Sequence, residues 1–231
     1  MIHTDDRGAL MTNHAQASQP DDVTPATRKP SISRDDLLTA ALALIGPHRS
    51  VSTLSLREVA REAGIAPNSF YRQFRDMDEL TVALIELAGQ SLRTIIGQAR
   101  QRAASSDRGV VRLSVETFME QLRADDRLMH VLLREGTAGS DAYKQAVDRQ
   151  LNYFEDELRG DLIRLAHADN GARLLEPALA AKAITRLVFA MGATALDTPP
   201  ARDEELIVQM THMIRMIITG ARTLAGFPPK S

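Results

Sequence analysis

The chain has 231 residues, 44% of them hydrophobic, with a net charge of −2 and no Cys. These totals fit one large or two small globular domains with a packed core. They exclude disulfides, thiolate chemistry and a bulk polycation. The start, "MIHTDDRGAL", has neither a basic region nor an apolar one, so no secretory signal is expected. No run approaches the roughly 18 apolar residues of a membrane span. The best candidate, "AITRLVFAMGATAL" from Ala183, carries Arg186. A reducing cytoplasmic location without a membrane partner is the expectation.

Residues 1–30 are rich in Asp, Thr, Gln and Pro and poor in core formers, so a disordered tail is predicted there. "RKP" at 28–30 reads as a basic arm or a solvated end. Almost everything afterwards reads as helix. "SRDDLLTAALALIG" offers Ser33 as N-cap, Asp35 and Asp36 in the first turn, and Gly46-Pro47 as the stop. Ser55 with Glu58 three residues on forms a capping box for the next helix, which runs to residue 63. Gly64 supplies the left-handed residue of a sharp turn, and Ile65 plugs the corner. Pro67 suits the first position of another helix, because its missing N–H would be unpaired there. Phe70 and Phe74, at i and i+4, face the preceding helix. Asn68, Ser69, Tyr71, Arg72 and Gln73 then face outward.

Asp76 and Glu79 start a long helix to about residue 104, with a stripe through Leu80, Leu84, Leu87, Ser91, Ile95 and Ala99. Further helices are predicted at about 108–122, 125–135, 140–167, 176–197 and 203–224. The 140–167 stripe is Tyr143, Val147, Leu151, Phe154, Leu158, Leu162 and Leu165. No segment shows sustained strand alternation. The fold class is all-α, with about nine helices.

Charge is uneven. Residues 1–27 hold one Arg and four Asp, whereas residues 28–75 hold eight Lys/Arg against four acids. The positive stretch coincides with the helix-turn-helix pattern at 55–75. Gly-turn corners also occur in proteins that touch no DNA, and the pattern alone leaves both readings open. In the DNA reading, Asn68 and Ser69 have the size and hydrogen-bonding capacity for base edges or phosphates. Tyr71 reaches a phosphate or a thymine methyl. Arg72 and Arg75 neutralise phosphates. Ser55 places helix N-terminal N–H groups near another.

"LSLREVAREAGIAPNSFYRQFRDMDEL" resembles the N-terminal domain of the TetR family of bacterial repressors: Ala60, Gly64, Phe70, Tyr71, Phe74, Glu79 and Leu80 fall at that family's positions. Met77 departs from it, standing where many members have Lys, so one common phosphate contact is missing or is replaced by Arg75. "RLSVETFMEQL", "LLREGTAGSDAYKQAV" and "VFAMGATALD" extend the likeness to the FabR/DesT subgroup, repressors of unsaturated fatty acid biosynthesis. The resemblance implies a helix-turn-helix DNA-binding domain at 31–76 with three helices. It also implies an effector-binding and dimerisation domain at 77–231. The implied partners are palindromic operator DNA and a second copy of the chain. The implied effector is a long-chain acyl-CoA or acyl-carrier protein, with no other cofactor.

Such an effector needs apolar walls. Leu84, Leu87, Phe118, Leu122, Leu132, Phe154, Leu158 and Phe189 are the candidates for the acyl chain. Arg134 and Glu135 are expected as a partly buried pair, either structural or contacting a headgroup. The small residues Ala180, Ala183, Ala190, Gly192, Ala193 and Ala195 allow close helix approach. The last-helix stripe through Leu206, Met210, Met213, Ile214, Ile217, Ile218 and Ala221 suits either a dimer interface or core packing. An enzyme is not expected. The six His have no metal spacing, and the sequence has no P-loop, GxSxG or dinucleotide fingerprint. A TetR-like regulator of efflux or another pathway, with an unrelated effector, is the alternative function.

Overall fold

The computed structural model describes residues 32–46, 49–103, 109–124, 127–138, 140–168 and 173–226. The predicted tail and the "RKP" arm lie outside them. Nine α-helices and no strands are present among the described residues: α1 Arg34–Leu44, α2 Leu56–Glu62, α3 Pro67–Phe70, α4 Met77–Ala103, α5 Val110–Arg123, α6 Arg127–Ala138, α7 Asp141–Ala168, α8 Pro177–Leu196 and α9 Asp203–Ala225. Short 3-10 turns occupy Val51–Thr53 and Pro200–Arg202.

Local chemistry fixes the helix starts. Ser33 accepts from the Asp36 N–H, and Asp36 accepts from the Ser33 N–H. Ser55 and Glu58 repeat the box on α2. Asp76 accepts from the Glu79 N–H at 2.8 Å and caps α4, while Glu79 reaches back to the Arg75 N–H at 2.8 Å. The Ser55 backbone N–H, with the Arg49 guanidinium and the Ser55 hydroxyl behind it, holds the Glu58 carboxyl down to about 2 from its ordinary 4.5. Asp36, Asp76 and Glu79 are lowered too, each chiefly by a backbone N–H.

A depressed carboxylate stabilises the fold above its unfolded pKa and loses that contribution as pH falls through its folded one. Glu58→Gln is therefore expected to flatten the fall of the urea midpoint between about pH 4.5 and 2. An acid limb as steep as that of the wild type would assign the acid sensitivity to other groups.

The first four helices share a core of Leu37, Ala41, Val51, Val59, Phe70, Phe74, Leu80 and Leu84, none more than 1% exposed. The rest of the bundle has α4 packed against α5, α6 and α7, and α8 packed against α6, α7 and α9. The stripe expected on α4 needs correction. Ile85, Ala88 and Leu92 are buried with Leu84 and Ala99, whereas Leu87 is 39% exposed. The buried band is broader than one stripe because neighbours cover several sides of the helix. The expectation about apolar segments was also too strict. Met77–Gln101 and Pro177–Leu196 reach mean hydropathies of 1.2 and 1.4 over 18 residues. Both segments are core helices of this bundle, which accounts for their composition.

Candidate nucleic-acid interface and effector cavity

Ala63 ends α2, and Gly64 follows at φ 68°. The Gly64 N–H donates to the Arg61 carbonyl and the Ile65 N–H to the Ala60 carbonyl, at 3.1 and 2.9 Å. This pair of bonds is the Schellman arrangement, and it turns the chain into α3. Pro67 opens α3 at its first position. The α-helical part is shorter than the sequence suggests, only Pro67–Phe70. Turn bonds from Arg72, Gln73 and Phe74 to Ser69 and Phe70 carry the coil on to residue 74. Phe70 and Phe74 are buried with ring centroids 5.8 Å apart, and Phe70 meets Tyr71 edge-on at 5.9 Å.

The outward residues fall into two groups. Asn68, Tyr71 and Arg72 are exposed, and Ser69 is half-buried beside them. Gln73 is instead a brace: its Nε2 donates to the Ile32 carbonyl at 2.8 Å, and its own carbonyl accepts from Arg34. Arg34 also pairs with Glu79 and lies 4.0 Å over the Phe74 ring. Ser55 commits its N–H and hydroxyl to Glu58. The Arg75 Nε pairs with Asp76 at 3.2 Å, although the side chain stays 82% exposed. Met77 is half-buried and packs against the core. The sequence counts Arg57 and Arg61 in the positive stretch at 28–75 but does not single them out as DNA contacts. Both are exposed and, like Arg72, unpaired among the described residues. For Arg57 a signal was present, since no carboxylate lies three or four residues away, whereas Arg61 has Glu58 three residues before it and only the structure shows that carboxylate held by Arg49 at 2.6 Å.

A cavity of about 760 Å³ lies among α4, α5, α7, α8 and α9. Its size is in the range of small-molecule sites. Leu92 and Ile96 of α4, Val111 and Val115 of α5, Leu162 of α7, and Ile184 and Val188 of α8 give apolar walls. Phe118, Phe154 and Phe189 form one ring cluster, with centroids 5.3 and 6.3 Å from the central Phe189. Of the acyl-chain candidates, Phe118, Phe154, Leu158 and Phe189 line this cavity. Leu84, Leu122 and Leu132 are buried in the core outside its lining, and Leu87 faces solvent. Arg134 pairs with Asp197 at 3.2 Å and does not border the cavity. The Glu135 side chain lies outside the described residues.

Gly192 is buried against this site. A Cβ there would lie 2.5 Å from Phe118 Cζ, so a methyl group must displace the ring. The cavity gives the ring somewhere to go. Gly192→Ala is expected to cost less than the 1–3 kcal/mol typical of overpacking, roughly, and to narrow the cavity. The check is a thermal midpoint shifted by less than about 4 °C together with weaker binding of a fluorescent long-chain fatty acid. Unchanged fatty acid affinity would show that the ring moves elsewhere.

The α4–α7 contact is polar along its length. Asp78 accepts from the Tyr143 hydroxyl at 2.7 Å, and Glu86 meets Arg149 at 3.5 Å. Arg93 donates to Gln150 at 2.6 Å, and Arg100 pairs with Glu157 and Asp161 at 3.4 and 2.8 Å. The partners ascend together, so the two helices run in the same direction. Gly89 sits in the middle of this contact. A Cβ there would come within 2.2 Å of the buried Gln150 Oε1, so only glycine allows the approach.

On the outside, α8 exposes Leu179, Ala183 and Ala190, and α9 exposes His212, Met216 and Thr219. Ala180, Gly192 and Ala195 face inward instead. The small residues of α8 thus divide between the core and the outer surface. Among the described residues no group of three His, Asp or Glu could hold a metal ion.

Residues 37–84 match the family model described as bacterial regulatory proteins, tetR family. Solved structures similar to this chain include a transcriptional regulator from Rhodococcus sp. Rha1, at 19% identity and TM-score 0.65. The match covers 83% of this chain and 98% of that one. FadR, the fatty acid degradation regulator from Bacillus halodurans, is similar at 16% identity and TM-score 0.58, over 84% of this chain and 98% of its own. AibR, solved in complex with isovaleryl coenzyme A and operator DNA, is similar at 15% identity and TM-score 0.56, over 78% and 97%. At these identities the likeness is one of fold. The family match therefore rests on residues 37–84, and the solved structures show that the architecture of the whole chain is shared with them.

Proposed function

We propose that this protein is a homodimeric repressor of the FabR/DesT kind. It would bind palindromic operator DNA and control genes of unsaturated fatty acid synthesis or desaturation in response to long-chain acyl-CoA or acyl-carrier protein. Residues 31–76 are the DNA-binding domain in this reading, and residues 77–231 bind the effector and the second copy. Asn68, Ser69, Tyr71 and Arg72 meet the major groove and its phosphates, with Arg75, Arg57 and Arg61 adding positive charge. Ser55 and Gln73 position the corner and take no direct part. The outer faces of α8 and α9 pair across the dimer.

The carrying observation is that one helix, α4, has its first turns in the helix-turn-helix core and its later turns in the wall of the apolar cavity. A ligand in the cavity can then bias where α4 sits. DNA affinity changes only by the ligand's differential affinity for the two arrangements. Operator half-sites one helical turn apart, about 34–36 Å, make binding sensitive to the spacing of the recognition helices. Isovaleryl coenzyme A in AibR and the fatty acid role of FadR support an acyl effector on this fold.

The test is fluorescence anisotropy at fixed salt, with promoter DNA of a desaturation or unsaturated fatty acid synthesis gene. Oleoyl-CoA and palmitoyl-CoA are titrated separately. Different effects of the two on DNA affinity support the reading. DNA binding that neither thioester alters leaves a regulator of efflux or another pathway and removes the lipid-sensing role.

A further inference from the structure

Arg93 and Arg100 of α4 and Arg164 of α7 share two carboxylates, Glu157 and Asp161, among the described residues. Arg93 and Arg100 are largely enclosed, with side chains 20% and 16% exposed. Arg100 borders the cavity together with Glu157, Asp161 and Arg164. Enclosed guanidinium groups need full compensation; Arg93 and Arg100 draw theirs from Glu157 and Asp161, and Asp161 is shared with the exposed Arg164. The Ser114 hydroxyl oxygen, on α5 in the same lining, is buried with no hydrogen-bond partner. Apolar walls therefore lead to one enclosed guanidinium, Arg100, and an unpartnered hydroxyl, Ser114, beside the carboxylates of Asp156, Glu157 and Asp161.

We infer that Arg100 is the anchor for an anionic group carried next to the apolar chain of the effector. The anion is a carboxylate of a free fatty acid or a phosphate of a coenzyme A thioester. This rests on the cavity being the effector site. The incoming anion shares or replaces Asp161 on Arg100, so the guanidinium never loses its compensation. Asp161 keeps Arg164. The exchange removes a tie between α4 and α7, so the same event that holds the ligand's head loosens the helix that carries the DNA-binding domain. An acyl chain alone would fill the cavity without touching this tie.

Isothermal titration calorimetry on the full chain tests this, using oleate, oleoyl-CoA and oleyl alcohol below their aggregation limits. For the wild type, at least one of the two anionic ligands is expected to bind tenfold or more tighter than the alcohol. Arg100→Gln should bring that ratio near one by weakening the anionic ligand and leaving the alcohol unchanged. Arg100→Lys should restore part of it. The ligand that loses affinity identifies the source, carboxylate or coenzyme A phosphate. Asp161→Asn removes the competing anion and should tighten anionic binding several-fold, whereas a purely structural role for Asp161 would weaken it. The inference is overturned if all three ligands bind and neither anionic one responds to Arg100 or Asp161. If none of the three binds the wild type, the lipid-effector reading itself fails, and this anchor fails with it.

Discussion

Phe70→Ala is expected to lower stability by about 3–5 kcal/mol. The Phe70 side chain is fully buried, and its ring packs on Phe74 in the angle between α2 and α3. A domain is stable by only about 5–15 kcal/mol, so the loss is a large share of the total. It should also be local. Phe74 would be left under Arg34 without its neighbour, while the buried residues of α5 to α9 keep their own contacts. Hydrogen exchange should then show early opening of residues 56–74 with protection retained in α5 and α7. Phe70→Leu keeps most of the volume and is expected to cost less than about 1.5 kcal/mol. Equal protection in both regions of Phe70→Ala would mean that the corner unfolds only with the whole chain.

The other large effect is on DNA. Tyr71 is 60% exposed, and Arg72 is exposed without an ion pair among the described residues. Replacing either by Ala should alter stability by less than about 0.5 kcal/mol, as surface changes usually do. Operator affinity should nevertheless fall by tenfold or more for the pair. Arg72→Ala should also reduce the slope of log affinity against log salt by about 1 per protomer, the signature of one lost phosphate contact. Tyr71→Ala should weaken binding with less change in slope. The two measurements separate contact from folding: a destabilised variant loses amplitude in its unfolding curve as well. Unchanged affinity in both variants would take Tyr71 and Arg72 out of the interface.

Local chemistry was legible in the sequence, and long-range pairing was not. Ser33 with Asp36, Ser55 with Glu58, and Asp76 with Glu79 each declare a helix start within four residues, so the starts of α1, α2 and α4 lay within a residue or two of expectation. The buried side of α4 was misjudged at Leu87 because α5, α6 and α7 cover that helix on more than one side. Four of the acyl-chain candidates line the cavity, but apolarity alone could not separate Phe118 from Leu122 or Leu132, which are core. The Arg100 cluster gave no signal, because its carboxylates lie 57 and 61 positions away on α7. Gln73 looked like an outward polar residue until Ile32 and Arg34 were found beside it.

Gly89 has a mechanical consequence. It seats the buried Gln150 side chain of α7, and helix geometry puts it near the middle of the rod, about 16 Å from Arg100 and about 18 Å from Met77. A helix held at such a fulcrum tilts with arms of nearly equal length. Movement at the cavity end is passed on at close to its own amplitude and in the opposite sense. In a two-fold dimer each half contributes, so a shift of about 2 Å at Arg100 would change the separation of the recognition helices by up to roughly 4 Å. That is a large error against a half-site repeat of about 34–36 Å.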